Sequence, residues 1–234
     1  METERGQRPL RRHDPDRPWY SYAARLLPPR PLGRWADLGC GRGEFIEQAS
    51  GSDESGIGVD YAASSAKALR ATGRPALVAD LNRGLPFATG SLDGASMVEV
   101  IEHIVQAEAL VAELARVIRL GGWLIVTTPN VVHIAYRWRA LTGHPPKQEG
   151  YHYRFFTRST LERMFASAGF RIAAQASFGK QALLSKLARV AGKGAKHKVR
   201  YVVPRALEPL LAQHFVWRLE RVAPQHPHPA RRQV

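Results

Sequence analysis

The stretch DLGCGRGEF, Asp37–Phe45, decides how the rest of the chain is read. It ends a strand-like run, Trp35–Leu38, and leads into a helix-like run, Glu44–Ala49, with glycines at 39, 41 and 43 between them. Glycine adopts backbone conformations closed to other residues and lets the main chain approach a ligand closely. The start of a helix adds N–H groups without intrahelical partners. Strand, glycine turn and helix together form a nucleotide-cradling arrangement. A pyrophosphate site would use G-x-G-x-x-G spacing and the helix end. The spacing here is G-x-G-x-G, with Asp37 ahead of it and Glu44 behind. Acids on both sides suit a ligand carrying positive charge and an ammonium group better than a pyrophosphate.

Outward from this loop the chain alternates. Strand-like runs are Trp35–Leu38, Ile57–Asp60, Ala76–Asp80, Ala95–Val100 and Trp123–Thr128; helix-like runs are Glu44–Ala49, Ser64–Ala71 and Ala107–Leu120. Short strands alternating with helices predict βαβ units and a mainly parallel sheet. Residues 19–27 predict a short amphipathic helix that stops before Pro28 and Pro29. After Pro129 the pattern changes. An aromatic and basic segment, 131–156, precedes a helix over Ser159–Ala168 that ends at Gly169, a plausible C-cap. Strands follow at Phe170–Ser177 and His214–Val222, separated by a basic insertion, 180–212, expected to carry helical pieces. Residues 1–18 and 223–234 read as disordered extensions of one domain spanning 19–222.

The ordered set of segments resembles class I S-adenosylmethionine-dependent methyltransferases. WADLGCGRGEF is similar to that family's first motif, and the likeness continues through GIGVD (56–60), ALVADL (76–81), LPFATGSLDGASMVEVIEHI (85–104), LARVIRLGGWLIVTTPN (114–130) and RFFTRSTLERMFASAGF (154–170). The glycine loop alone would be a weak signal; the ordered series is specific. The resemblance implies a Rossmann-like, doubly wound, seven-stranded α/β sheet, mostly parallel with an antiparallel final strand. It also implies S-adenosyl-L-methionine as cofactor. Asp37 would orient the loop and the cofactor's amino group, and Gly39, Gly41 and Gly43 would admit its methionine portion. Asp60 would accept the ribose hydroxyls and Asp80 the adenine amino group, with Leu81 beside the ring and Val98 lining the cleft. Cys40 packs in the turn and is assigned no chemistry.

EVIEHI, residues 99–104, places Glu99, Glu102 and His103 after the fourth predicted strand, at the carboxyl edge where such sheets bind ligands. His152 lies in the later segment expected to fold over that edge. Two carboxylates and two imidazoles form a candidate site for a hard divalent cation such as Mg²⁺ with open positions. Similar Glu-x-x-Glu-His elements occur in ubiquinone-pathway O-methyltransferases and small-RNA terminal 2′-O-methyltransferases, both acting on adjacent hydroxyls. The competing reading makes His103 a helix cap or a lone general base, with His152 hydrogen-bonded inside its segment.

Composition bounds the rest. The chain has 234 residues, is 44% hydrophobic and contains one cysteine, so it can bury a core but form no internal disulfide. No apolar run approaches the ~20 residues of a membrane span, and the Arg- and Pro-rich start lacks a secretory signal core. A soluble, cytoplasmic protein is expected. The formal charge of +14, with Lys186, Arg189, Lys193, Lys196, Lys198, Arg200 and Arg205 in one stretch, favours anionic partners or a plain solvated basic surface. Residues 180–205 could place the protein at the periphery of an anionic membrane, where each Lys or Arg gains about 1 kcal/mol.

The leading functional reading is O-methylation of a hydroxyl on a small-molecule, glycan or lipid-linked substrate. TPNVVHIAYRWRALTG and HYRFFTR resemble bacterial methyltransferases of glycan and lipid biosynthesis. A small-RNA 2′-O-methyltransferase is the second reading, although no separate RNA-binding module is visible. A non-catalytic partner that keeps the cofactor fold is the third.

Overall fold

The computed structural model describes residues 18–50, 56–145, 152–180 and 200–223. The expected N-terminal extension up to residue 17, the tail from 224 onward and the lysine-rich part of the insertion, 181–199, lie outside the described residues.

The described strands are β1 (Trp35–Leu38), β2 (Ile57–Asp60), β3 (Ala76–Val78), β4 (Leu92–Val98), β5 (Ile118–Pro129), β6 (Phe170–Lys180), β7 (Arg200–Val202) and β8 (His214–Arg221). They form one sheet in the order β3-β2-β1-β4-β5-β8-β6-β7. The first five pair in parallel, and β8 inserts antiparallel between β5 and β6. This is the expected seven-stranded sheet with its antiparallel final strand. One short strand is added at the edge: β7 pairs antiparallel with the end of β6. Just beyond it, the Val203 N–H donates to the Ser177 carbonyl and the Val203 side chain is buried. Part of the predicted basic insertion is therefore sheet.

Helices cover both faces. On one side α4 (Ala107–Val117) and α6 (Arg158–Ser167) bring Leu110, Leu114, Leu161 and Phe165 against Leu38, Met97 and Val126. On the other, α1 (Pro18–Arg25), α2 (Glu44–Ala49) and α3 (Ala63–Arg70) bring Ala23, Phe45, Ile46 and Leu69 against Trp35, Ile125 and Val216. Leu124 and Val126 face one layer and Ile125 the other, as the period of two along a strand requires. Each fully buried large apolar side chain stabilises the fold by about 1.5–3 kcal/mol relative to exposure. Every residue of β1 is buried, so the central strand reads as a continuous apolar run broken only by Asp37.

Two short helices lie outside these layers. Helix α5 (Ile134–Leu141) follows β5, and α7 (Glu208–Leu211) precedes β8. Asn130, at the end of β5, donates from its side-chain amide to the Ala212 carbonyl at 2.9 Å, tying α7 to this edge.

Candidate active site

The glycine loop leaves β1 at the carboxyl edge of the sheet. Gly39, Gly41 and Gly43 have φ of 68°, 53° and 89°, the left-handed region that glycine enters without a Cβ penalty. A Cβ on Gly39 would lie 2.5 Å from Val100, and one on Gly43 would lie 2.5 Å from Leu69.

The loop's own N–H groups are spent on the protein. Those of Gly39 and Cys40 donate to the Val59 carbonyl, that of Gly41 to Asp60 Oδ2 at 2.9 Å, that of Arg42 to Glu44 Oε2, and that of Gly43 to the Cys40 carbonyl. An anion cradle needs these donors free. Acids surround the loop instead. Asp37 is buried and accepts the Ser96 hydroxyl at 2.6 Å. Burial pushes its carboxyl up to about 7; the Ser96 hydrogen bond opposes this, and the charges of Glu44 and Asp60 add to it. Burial, with Asp37 and Asp60 nearby, likewise raises the Cys40 thiol, which keeps it a packed, unreactive group. The field suits a cation.

Beside the loop opens a cleft of about 530 Å³ lined by Gly39, Asp60, Tyr61, Asp80, Leu81, Asn82, Glu99, Val100, His103 and Ile104. Of the residues predicted for cofactor contact, Gly39, Asp60, Asp80 and Leu81 line it. Asp37, Gly41 and Gly43 stand behind that lining and shape it. Val98 does not line it; its side chain packs into the core layer under α1 to α3, and Val100 takes the wall position. The reason is that β4 ends at Val98 and the chain turns at Glu99, which brings the buried Val100 side chain to the cleft wall.

Asp60 has two partners already, the Gly41 and Ala62 N–H groups, and a carboxylate retains further lone pairs for hydroxyl donors. Asp80 accepts both the backbone and side-chain N–H groups of Asn82, which hold its carboxyl below the usual range. Asn82 in turn accepts from the Val105 N–H ahead of α4. Sequence reasoning missed Tyr61 and Asn82. The Asp-Leu-Asn run, an Asx-turn pattern, was the available signal for Asn82.

The expected metal quartet separates. Glu102, His103 and His152 each offer a ligand atom within 4.8 Å of the others. The His103 and His152 rings stand 4.8 Å apart between centroids, edge to face. Glu99 is not among them. Its backbone has φ 57°, its N–H donates to Thr127, and its carboxylate accepts the Thr127 hydroxyl at 2.7 Å. Its other oxygen lies 3.0 Å from His214 Nδ1. Beginning two residues after Glu99, the 3-10 turn Ile101–His103 carries the other two groups in a different direction.

His152 is delivered by backbone pairing. The Glu102 carbonyl accepts the N–H groups of Tyr153 and Arg154, and Asn130 bridges Phe156. Glu102 is only 2% exposed; Oε2 accepts the Thr128 hydroxyl and Oε1 is buried without a partner. Burial, and then the Glu99 charge, raise its carboxyl well above the ordinary range. A buried carboxylate oxygen facing two imidazoles gives this group the donor chemistry of a cation site or of an acid–base cluster.

A seven-stranded sheet in this order, with an acid-flanked glycine loop at its carboxyl edge, defines a class I methyltransferase. A family model described as a methyltransferase domain matches residues 10–175, and the chain belongs to the class I S-adenosylmethionine-dependent methyltransferase family. The chain is 31% identical over 131 residues to a demethylmenaquinone methyltransferase of Corynebacterium kroppenstedtii, an alignment covering 53% of this chain and 57% of that protein. It is 27% identical over 172 residues to a ubiquinone biosynthesis O-methyltransferase of Burkholderia pseudomallei, covering 61% of this chain and 66% of that one. The chain thus spans about half to two thirds of the length of the curated relatives it matches. A SAM-dependent methyltransferase of Thermotoga maritima superposes with a TM-score of 0.63 at 20% identity over 88% of this chain and 90% of that chain, a likeness of fold.

Proposed function

We propose that the chain transfers the methyl group of S-adenosyl-L-methionine to a hydroxyl of a small-molecule, glycan or lipid-linked acceptor. One observation carries the reading: His103 lines the acidic cleft and also belongs to the Glu102–His103–His152 group. A methyl donor in the cleft and a hydroxyl at the group would therefore meet at one imidazole.

In this reading the glycine loop, Asp60, Asp80 and Leu81 would hold the methyl donor in the cleft that His103 also lines. His103 then accepts the hydroxyl proton as the oxygen attacks the methyl carbon in line and the carbon–sulfur bond breaks. The observed donors, two imidazoles and one carboxylate, would suit a divalent transition ion better than the expected Mg²⁺, and Glu102, His103 and His152 would hold it without Glu99. Such an ion would lower the hydroxyl's pKa. The O-methyltransferase among the relatives supports an oxygen acceptor, while the demethylmenaquinone enzyme leaves a carbon acceptor as the second reading.

The test is labelled-cofactor transfer to quinol precursors, glycans, lipid extracts and small RNA, with wild type and His103→Gln. Label in an oxygen ether, lost in a folded variant that still binds cofactor, supports the reading. Label on carbon or on RNA assigns a different acceptor. Full transfer by His103→Gln removes His103 from the chemistry.

A further inference from the structure

Helix α5, Ile134–Leu141, has no buried residue. Its large apolar side chains are Ile134, Trp138 and Leu141, which are 45%, 67% and 81% exposed. Their spacing of four and then three residues puts them on a single stripe. Tyr136 lies on the opposite side of the helix, where it lines a small void with Glu102 and His152. The helix therefore turns one face to the candidate active site and its apolar stripe outward. Two more exposed aromatics, Tyr153 and Phe155, lie on the neighbouring segment, which pairs with the end of β5.

The charge carried by the helix segment itself is of one sign. Arg137 is exposed at the edge of the stripe beside Leu141, whereas Arg139 lies half-buried round toward Tyr136 with its Nε donating to the Pro145 carbonyl, and no acidic residue occurs between Asn130 and Pro145. We propose that α5 is an interfacial helix that seats the protein on an anionic lipid bilayer, with Ile134, Trp138 and Leu141 in the headgroup–acyl boundary and Arg137 toward lipid phosphates. An apolar stripe, an interfacial tryptophan and a flanking arginine are features that hold short amphipathic helices in this layer. At about 1.5 Å per residue the helix is far too short to cross a bilayer, and no described helix is long and apolar enough to do so. The whole chain's charge of +14 draws it to the same surface.

Two other occupants fit less well. A symmetric contact with a second copy through the stripe would bring Arg137 toward its own counterpart. An RNA would use the arginines and the tryptophan but gain little from Ile134 and Leu141. The docking does not depend on the acceptor proposed above. If that acceptor is lipid-borne, seating on α5 would bring it to the Tyr136 side of the helix.

The test is co-sedimentation of the full chain with phosphatidylcholine vesicles, with and without phosphatidylglycerol. It is combined with tryptophan fluorescence quenched by lipids brominated in their acyl chains. Trp35, Trp123 and Trp217 are buried and Trp19 is partly buried, so Trp138 is the exposed reporter among them. The expected result is binding to phosphatidylglycerol vesicles that weakens with salt, with a blue-shifted, quenched Trp138. Ile134→Ser/Trp138→Ser/Leu141→Ser together should lower partitioning by about ten-fold or more. Trp138→Phe should keep the binding and lose the quenching. Calorimetric binding of S-adenosylmethionine monitors folding of every variant and reports separately on the proposed methyl transfer. Equal sedimentation of the folded triple variant and wild type overturns the proposal, as does vesicle binding without quenching of Trp138. A concentration-dependent dimer, or RNA binding, abolished by the triple change in the absence of vesicle binding would also overturn it.

Discussion

Replacing Asp37 by asparagine removes a buried charge while keeping the side chain's shape and an oxygen for the Ser96 hydroxyl. In the folded chain the Asp37 carboxyl is raised from 3.8 to about 7. Between those two values the folded chain holds a proton that the unfolded chain has released. The stability linked to this group is therefore full at low pH and is lost as pH rises through the folded value. An interval of about three units corresponds to about 4 kcal/mol, which water penetration reduces to an expected 2–4 kcal/mol. Asp37→Asn should be more stable than wild type by about that amount near pH 8, and nearly equal to it near pH 4. Glu102 shifts in the same direction but is present in both proteins, so the difference between them isolates Asp37. Urea denaturation at the two pH values measures it. At pH 8, where the wild-type carboxyl is ionised, the variant should also bind S-adenosylmethionine about ten-fold more weakly, because a nearby negative charge worth about 1–2 kcal/mol toward a cation is gone. A stability difference that does not change with pH would refute the buried-charge account of the loop.

Gly41→Val forces a β-branched residue into φ 53° and brings its Cβ to 3.2 Å from Glu44 Oε2, so calorimetry on the folded variant should show at least about ten-fold weaker cofactor binding; unchanged affinity contradicts the loop's role. Glu102→Gln should abolish any dependence of turnover on an added divalent ion such as Mn²⁺, whereas Glu99→Gln should retain it, because Glu99 is engaged by Thr127 and faces His214; turnover of wild type after exhaustive chelation decides whether such a dependence exists. Arg158 pairs with Glu208, donates to Gln175 and lies over the Trp217 ring, so Arg158→Ala leaves a carboxylate of 2% exposure without its counter-charge. Urea melts should register a loss of about 3–5 kcal/mol.

How much of this was legible beforehand depended on what each segment buries. β1, β2 and α2 coincide with their predicted bounds because their apolar residues face only the core and the glycine loop punctuates them. β3 stops at Val78 because Asp80 is drawn into a turn by Asn82, an interaction that hydropathy does not encode. β5 begins at Ile118, where Leu120, Gly121 and Gly122 look like a helix end; Gly121 at φ 75° carries the chain through that irregular stretch. β7 was hidden inside a basic stretch. Helix α5 was not predicted because periodicity was sought toward a core, and its stripe points away from one.

The Glu-x-x-Glu-His element was legible as a cluster but not as two sites. Spacing along the sequence groups Glu99 with Glu102 and His103, and nothing local distinguishes the two carboxylates. What separates them comes from distant segments. Thr127 on β5 accepts the Glu99 N–H and returns its hydroxyl to the Glu99 carboxylate, holding that residue in a left-handed conformation on the cleft wall. Thr128, the next residue on the same strand, faces the opposite way and donates to Glu102. The alternation of one strand thus sends two carboxylates of one motif to different places. Glu99 adds a third acid to Asp60 and Asp80 around the cleft, and Glu102 joins His152. His103 is the residue the two arrangements share. A search confined to ligand spacing would read all four residues as one metal centre, whereas the sheet register makes Glu99 part of the cation-favouring cleft.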